Sequence, residues 1–174
     1  MKIGLYAFYI FCFMLMSCGD DKSSTEVLDS GKTNQKPIIT AKAIENLDYT
    51  DYALSAESEE ALANWEKYQE LAIQISYLKK ADLSFFNGEK DVLKKFISEL
   101  SAATPEQFLT NPILSRTVIL ETSLLKLNEN LTLNNIDEPT KLLNIKDVLI
   151  AFSNLNYQIN KKLERDLYDK IQPE

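Results

Sequence analysis

The sequence predicts an all-α protein: a mostly antiparallel four-helix bundle at 55–174, preceded by a disordered N-terminal tether. Two observations predict the bundle. Apolar residues recur at three- and four-residue steps over four long segments, which places them on one face of each helix, and the connections between these segments are short. A third observation supports the class, because no segment of useful length alternates with the two-residue period of a strand.

The first predicted helix begins after Ser55 or Ser58, either of which can cap it. Acidic side chains in its first turn suit the positive end of the helix dipole. Its predicted apolar face comprises Leu62, Trp65, Tyr68, Leu71, Ala72, Ile75 and Leu78. We expect these residues to lie on one continuous helix.

Turn and capping signals bound the other three predicted helices. Asn87-Gly88 is a stop signal, and a helix follows from about Glu89 to Ala102. Thr104-Pro105-Glu106-Gln107 predicts a capping box that opens a short turn. Two long helices complete the bundle, from about Pro112 to Leu131 and from near Pro139 to about Ile171.

Two segments precede the bundle. Residues 18–40 are mainly polar and cannot bury enough surface to offset the entropy of ordering, which predicts a disordered tether. Its residues would span on the order of 26 Å on average and roughly 73 Å when extended. The transitional segment 41–54 has apolar and tyrosine residues without one period, so we expect a short helix followed by an extended piece along the bundle.

Residues 1–17 have the pattern of an export signal. The charged Lys2 precedes an apolar run that is too short to cross a ~30 Å hydrocarbon core as a helix, and the small Ser17 precedes Cys18. Leu15-Met16-Ser17-Cys18 resembles the lipobox of bacterial lipoproteins. This resemblance implies cleavage between Ser17 and Cys18 by signal peptidase II and acyl chains, such as palmitate, on Cys18.

Further residues resemble lipoproteins of particular bacteria. Gly19 after the cysteine, where an aspartate would imply retention in the inner membrane, implies delivery to the outer membrane. The protein would then face the periplasm or the cell surface. Asp20-Asp21-Lys22 is similar to the export signals of Bacteroidota surface lipoproteins, and 82–87 and 115–122 look like a group of uncharacterised lipoproteins of that phylum. The resemblance implies a location and no activity.

The composition excludes several kinds of chemistry. Removal of 1–17 leaves 157 residues with Cys18 as the only cysteine, and the chain has no histidine. With the Cys18 sulfur acylated, no soft or borderline ligand remains for zinc, copper, haem iron or an iron–sulfur cluster. We therefore expect no metal and no cofactor. Since no catalytic motif is present either, we expect that the protein is not an enzyme.

The net charge limits the partners. The formal charge of −7 becomes −8 when Lys2 is removed. This acidic balance argues against nucleic acid and against electrostatic docking to anionic lipid head groups. The expected partners are the membrane, through the acyl chains, and an envelope protein.

The third predicted helix contains two charged candidate residues. Glu121 continues an apolar row formed by Leu114, Val118 and Leu125, so its carboxylate should point at least partly inward, where it needs a partner. It is either a ligand or acid/base residue or, as we favour, half of a structural pair with Arg116 or a lysine of another helix. Arg116 can hold a ligand carboxylate or phosphate, although a fixed contact within the bundle is favoured.

Two further candidates lie on predicted core faces. Asn156 interrupts the apolar face of the last helix, where a polar residue commonly fixes register, and binding is the alternative role. Trp65 could form an aromatic ligand pocket with Tyr68, Phe85 and Phe86, although core packing is the favoured interpretation.

We therefore expect a lipid-anchored, non-enzymatic helical bundle that binds or scaffolds another envelope component, through a helix face or the aromatic N-terminal segment. The alternative is a carrier of a small apolar ligand in a pocket between helices. A buried apolar cavity of roughly 300 Å³ or more would favour the carrier.

Overall fold

The computed structural model describes residues 39–171, and in this part of the chain all regular secondary structure is helical. The predicted all-α class is confirmed. The six α-helices are α1 (Ala41–Glu45), α2 (Ala56–Ala61), α3 (Glu66–Lys79), α4 (Lys90–Ala102), α5 (Asn111–Thr132) and α6 (Glu138–Ile171), and a 3₁₀ turn at Glu106–Phe108 connects α4 to α5.

The four longest helices, α3 to α6, run alternately up and down. In each consecutive pair, an ion pair joins the first part of one helix to the last part of the other. These ion pairs are Lys67–Glu99 (3.0 Å) between α3 and α4, Lys90–Glu129 (3.4 Å) between α4 and α5, and Lys126–Asp147 (3.1 Å) between α5 and α6. We call the end that carries the α3–α4 and α5–α6 connections the proximal end, and the end that carries the α4–α5 connection the distal end.

The apolar stripes predicted from periodicity form the core. Members that are at most 2 % exposed include Leu71, Ile75 and Leu78 of α3, Ile113, Leu120 and Leu124 of α5, and Ile145, Leu149 and Ile159 of α6. Burial of side chains of this size contributes about 1.5–3 kcal/mol each. The core is thus built from the helical faces that the sequence indicates.

The first predicted helix is interrupted, so the prediction of one continuous helix was wrong. A turn at 62–65 separates α2 from α3. The backbone at Trp65 is not helical (φ −89°, ψ 75°), and Gln69 donates from Nε2 to the Leu62 carbonyl (3.1 Å), which satisfies the end of α2. Both Leu62 and Trp65 are nevertheless buried, as the pattern requires.

The bounds predicted for the other three long helices are confirmed to within one residue. The predicted capping box is not formed. The Thr104 hydroxyl donates to the Leu100 carbonyl (3.5 Å), and Pro105 precedes a single 3₁₀ turn.

The apolar row of α5 that contains Leu114 and Val118 is open to solvent in the N-terminal half of the helix. Leu114 and Val118 are 39 % and 58 % exposed. Ser101, near the end of α4, lies level with Glu121 of α5. Because α4 ends there, the two apolar side chains that precede Glu121 have no α4 residue beside them.

Ala81 ends α3 in a left-handed conformation (φ 64°) that favours glycine. The Asp82 N–H donates to the Tyr77 carbonyl (3.0 Å), and the Ala81 N–H donates to the Leu78 carbonyl (2.9 Å). These two bonds form a Schellman motif. The motif satisfies the last carbonyls of α3 and turns the chain at the proximal end.

The transitional segment has the predicted form, since the short helix α1 is followed by an extended strap, residues 46–55, that lies along α6. Asp51 of the strap lies 2.5 Å from Lys79 at the end of α3, so the strap begins at the proximal end. Ile39, at the end of the predicted tether, is partly buried against the core. The folded domain therefore includes this residue.

No helix within 39–171 is both long enough and apolar enough to span a membrane. The predicted signal, most of the tether, and the predicted cleavage and lipidation residues Ser17 and Cys18 lie outside the described residues.

Candidate functional site: a polar ladder and a distal groove

Side chains on one face of α6 hold the strap by its backbone. The three residues, which we call the polar ladder, are Ser153, Asn156 and Asn160. The Ser153 hydroxyl donates to the Thr50 carbonyl and accepts from the Tyr52 N–H, both at 2.7 Å. Asn160 donates from Nδ2 to the Ala53 carbonyl (2.8 Å) and accepts at Oδ1 from the Ser55 N–H (3.0 Å).

Asn156, a candidate from the sequence, is the central residue of the polar ladder. It is 6 % exposed and donates from Nδ2 to the Tyr52 carbonyl (3.1 Å). Its Oδ1 accepts from the buried Tyr68 hydroxyl at 2.6 Å. Burial, with a smaller contribution from the charge of Glu59, raises the pKa of Tyr68, so this hydroxyl remains a donor at neutral pH. Asn156 therefore joins α6 both to α3 and to the strap.

Trp65 is a core residue in the structure. Its indole N–H donates to the Leu100 carbonyl (3.2 Å), and its ring centroid lies 5.4 Å from Tyr68 and 6.4 Å from Phe108. Phe85 packs separately against Phe86 and Phe96, each at 5.1 Å. The four aromatic residues grouped by the sequence analysis therefore belong to two clusters, which favours packing over a shared ligand pocket.

Glu121 and Arg116 do not form the favoured ion pair with each other. Glu121 is half-buried as predicted, but its partner is Ser101, which donates a hydrogen bond to the carboxylate. Arg116 donates from Nη1 to the Pro112 carbonyl of its own helix (3.4 Å). Within residues 39–171 neither side chain makes an ion pair, and the structure does not bring them together with a third charged group.

Asn128, a buried residue of α5, is not among the candidates that the sequence indicates. Its Nδ2 donates to the Phe86 carbonyl (2.9 Å) and to the Gly88 carbonyl (2.8 Å), and thereby fixes the α3–α4 connection. A polar residue next to the apolar Leu127 is visible in the sequence, but its partners are backbone groups forty residues away.

Within residues 39–171 no group of three or more acidic or cysteine side chains is arranged to hold a metal ion. The acidic residues of this region are mostly exposed at the surface.

The last turns of α6 extend beyond α5. The helices α5 and α6 are antiparallel, and Lys126 of α5 lies beside Asp147 of α6. The same number of residues back along α5 and forward along α6 places Asn111, at the start of α5, level with about residue 162 of α6. The remaining part of α6, about nine residues, therefore projects ~14 Å at the distal end. Large apolar side chains exposed on this projection are Leu167 (58 %), Tyr168 (60 %) and Ile171 (69 %).

A groove of about 520 Å³ lies beside this projection, between α2, the 3₁₀ turn and residues 160–170 of α6. We call it the distal groove. Ala61, Leu163 and Leu167 supply apolar surface, while Glu57 and Lys170 are among its charged residues. Because it combines the half-buried Leu163 and the exposed Leu167 with charged groups, the distal groove can accept an apolar side chain flanked by polar groups.

A second groove, of about 320 Å³, lies at the proximal end between α1 and the end of α3. It is lined by Ala41, Ile44 and Tyr49 together with Lys79 and Lys80. Both grooves are open to solvent and lie outside the core. The distal groove is larger and adjoins the projecting part of α6.

The fold is thus an all-α helical bundle, and the comparisons with known proteins add no family or function to this description. No protein-family model, no curated protein and no solved structure matches the chain.

Proposed function

We propose that this chain is a lipid-anchored envelope protein, held at the outer membrane through Cys18, whose helical bundle binds an envelope protein without catalysing a reaction. The observation that carries the proposal is the distal groove, where the half-buried Leu163 forms part of the floor and Leu167 of the projecting α6 is exposed to solvent. Exposed large apolar side chains that lie together, as Leu167, Tyr168 and Ile171 do at this end of α6, are typical of a protein-binding surface.

The position of the groove supports this function. The described residues begin at Ile39, and Asp51 of the strap pairs with Lys79 at the proximal end. The distal groove lies at the opposite end of a bundle whose longest helix, with 34 residues, measures ~51 Å. A tether attached at the proximal end leaves the distal groove accessible to a partner.

The alternative, a carrier of a small apolar ligand, has less support. The two grooves described above are open to water, whereas an apolar ligand favours a pocket that encloses most of its surface. The apolar side chains between α3, α5 and α6 are close to fully buried.

Photo-crosslinking in intact cells tests the binding surface. We expect p-benzoylphenylalanine at position 167 to form a discrete adduct with one envelope protein, and the same substitution at 143 to form none. Leu143 is the matched control, because it is on the same helix and is 55 % exposed, against 58 % for Leu167. Equal labelling at both positions, or none at 167, would contradict the proposed surface.

The anchor has a separate test in the same cells. Cys18→Ala should abolish labelling of the protein by a radioactive fatty acid, because the thiol that receives the acyl chain is lost. The adduct at position 167 should also decrease, since the bundle would no longer be held near its partner. Continued fatty-acid labelling of Cys18→Ala would overturn the lipidation site.

A further inference from the structure

The distal groove has an apolar floor. Ala61 of α2 and Leu163 of α6 are half-buried in it, and Leu167 is 58 % exposed one helical turn further along α6. The volume of about 520 Å³ is sufficient for one or two large side chains and too open to enclose a free small molecule. The floor therefore suits an apolar side chain presented by a larger partner.

The wall formed by α2 carries one carboxylate, that of Glu57. The helix has no cation, and its other two glutamates, Glu59 and Glu60, are not among the residues that line the groove. None of the three makes an ion pair within residues 39–171. Hydrogen bonds from its own backbone N–H and from Ser55 lower the pKa of Glu57, so this carboxylate at the groove is ionised at neutral pH.

The opposite wall, formed by α6, is nearly neutral. Glu164 and Asp166 line the groove, but each is paired with a lysine of the same helix, Lys161 and Lys162 respectively. Lys170 adds one cation at the end of the groove. The negative charge available to a partner is therefore on the α2 side.

We propose that the distal groove binds a peptide segment of its partner that places an apolar side chain against Leu163 and Leu167 and a lysine or arginine beside Glu57. This inference rests on the proposed function and specifies the chemistry of the partner. Opposite charge across an interface selects the partner and orients it, while the apolar contact supplies most of the affinity. An acidic segment would instead meet the carboxylate of Glu57, which makes no ion pair among the described residues.

Fluorescence anisotropy with the full chain in phosphatidylcholine nanodiscs tests this inference. The probe is a short labelled peptide with two leucines four residues apart, flanked by lysines, and the comparison peptide has glutamates in place of the lysines. We expect the basic peptide to bind with a Kd of about 10–100 μM and the acidic peptide to bind at least tenfold more weakly. Binding of the basic peptide should weaken as salt is added.

Single substitutions in the protein test whether the peptide binds in the distal groove. Leu167→Ser should weaken the binding of the basic peptide about tenfold, because a leucine contact is lost. Glu57→Lys should weaken it about fivefold, because a repulsive pair replaces an attractive one. Glu89→Lys is the matched control at the proximal end, since Glu89 is exposed and precedes the first turn of α4; it should leave Kd unchanged.

The outcomes separate this inference from the proposed function. Equal binding of the acidic peptide, equal effects of Glu57→Lys and Glu89→Lys, or displacement of the peptide by a neutral long-chain alcohol would overturn the basic-segment inference. If no peptide binds while the adduct at position 167 persists in cells, the inference fails and the binding function stands. Loss of that adduct would remove the proposed function itself.

Discussion

Trp65→Ala is expected to lower the free energy of unfolding by about 3–5 kcal/mol, the range for loss of a fully buried large aromatic side chain. Trp65 is 1 % exposed, and its contacts join α3 to Leu100 of α4 and to Phe108 of the 3₁₀ turn. One substitution therefore loosens three segments. Denaturant unfolding followed by circular dichroism at the helical band measures the change, which is a large fraction of the ~5–15 kcal/mol typical of a domain.

Trp65→Phe separates packing from hydrogen bonding. Phenylalanine keeps an aromatic ring beside Tyr68 but removes the indole donor to the Leu100 carbonyl. We expect a loss of about 1–2 kcal/mol, smaller than for alanine. If the alanine variant were as stable as the phenylalanine variant, the packing role assigned to Trp65 would be wrong.

Periodicity predicted the long helices because their stability comes from one buried face. It could not reveal the turn at 62–65, because Leu62, Trp65 and Tyr68 continue in three-residue steps through it. A turn that keeps apolar residues at the spacing of a helix has the same sequence pattern as an unbroken helix. The interruption is accompanied by a side-chain contact across the turn, the Gln69 bond to the Leu62 carbonyl, which the spacing of apolar residues does not reveal.

The positions of the candidate residues on their helices could be predicted from the sequence better than the groups that they contact. The apolar row identified Glu121 as half-buried, but its partner Ser101 follows from where α4 ends, which sequence spacing does not fix. In the same way Asn156 was recognised at the helix seam, whereas its partner in the strap lies 104 residues away. The distal groove was not predictable, because three separate segments of the chain form it.

Asn156→Ala should lower the free energy of unfolding by about 2–3 kcal/mol. The substitution removes the hydrogen bond to the Tyr52 carbonyl and leaves the Tyr68 hydroxyl, in a side chain that is only 1 % exposed, without its acceptor. A buried polar group that loses its partner costs more than the bond itself contributes. Amide hydrogen exchange of residues 50–55 should accelerate as well, because one of the bonds that hold the strap is gone.

Two further variants isolate these hydrogen bonds from other effects of the substitution. Asn154→Ala makes the same change in helix propensity on the exposed side of α6 and should alter stability by less than ~0.5 kcal/mol. In a double-mutant cycle, Tyr68→Phe should reduce the effect of Asn156→Ala by about 1 kcal/mol or more, because the orphaned hydroxyl is then absent. If neither Asn156→Ala nor Asn154→Ala changed the free energy of unfolding, the strap would be held by apolar contacts such as those of the half-buried Leu54. The polar ladder would then not contribute to stability.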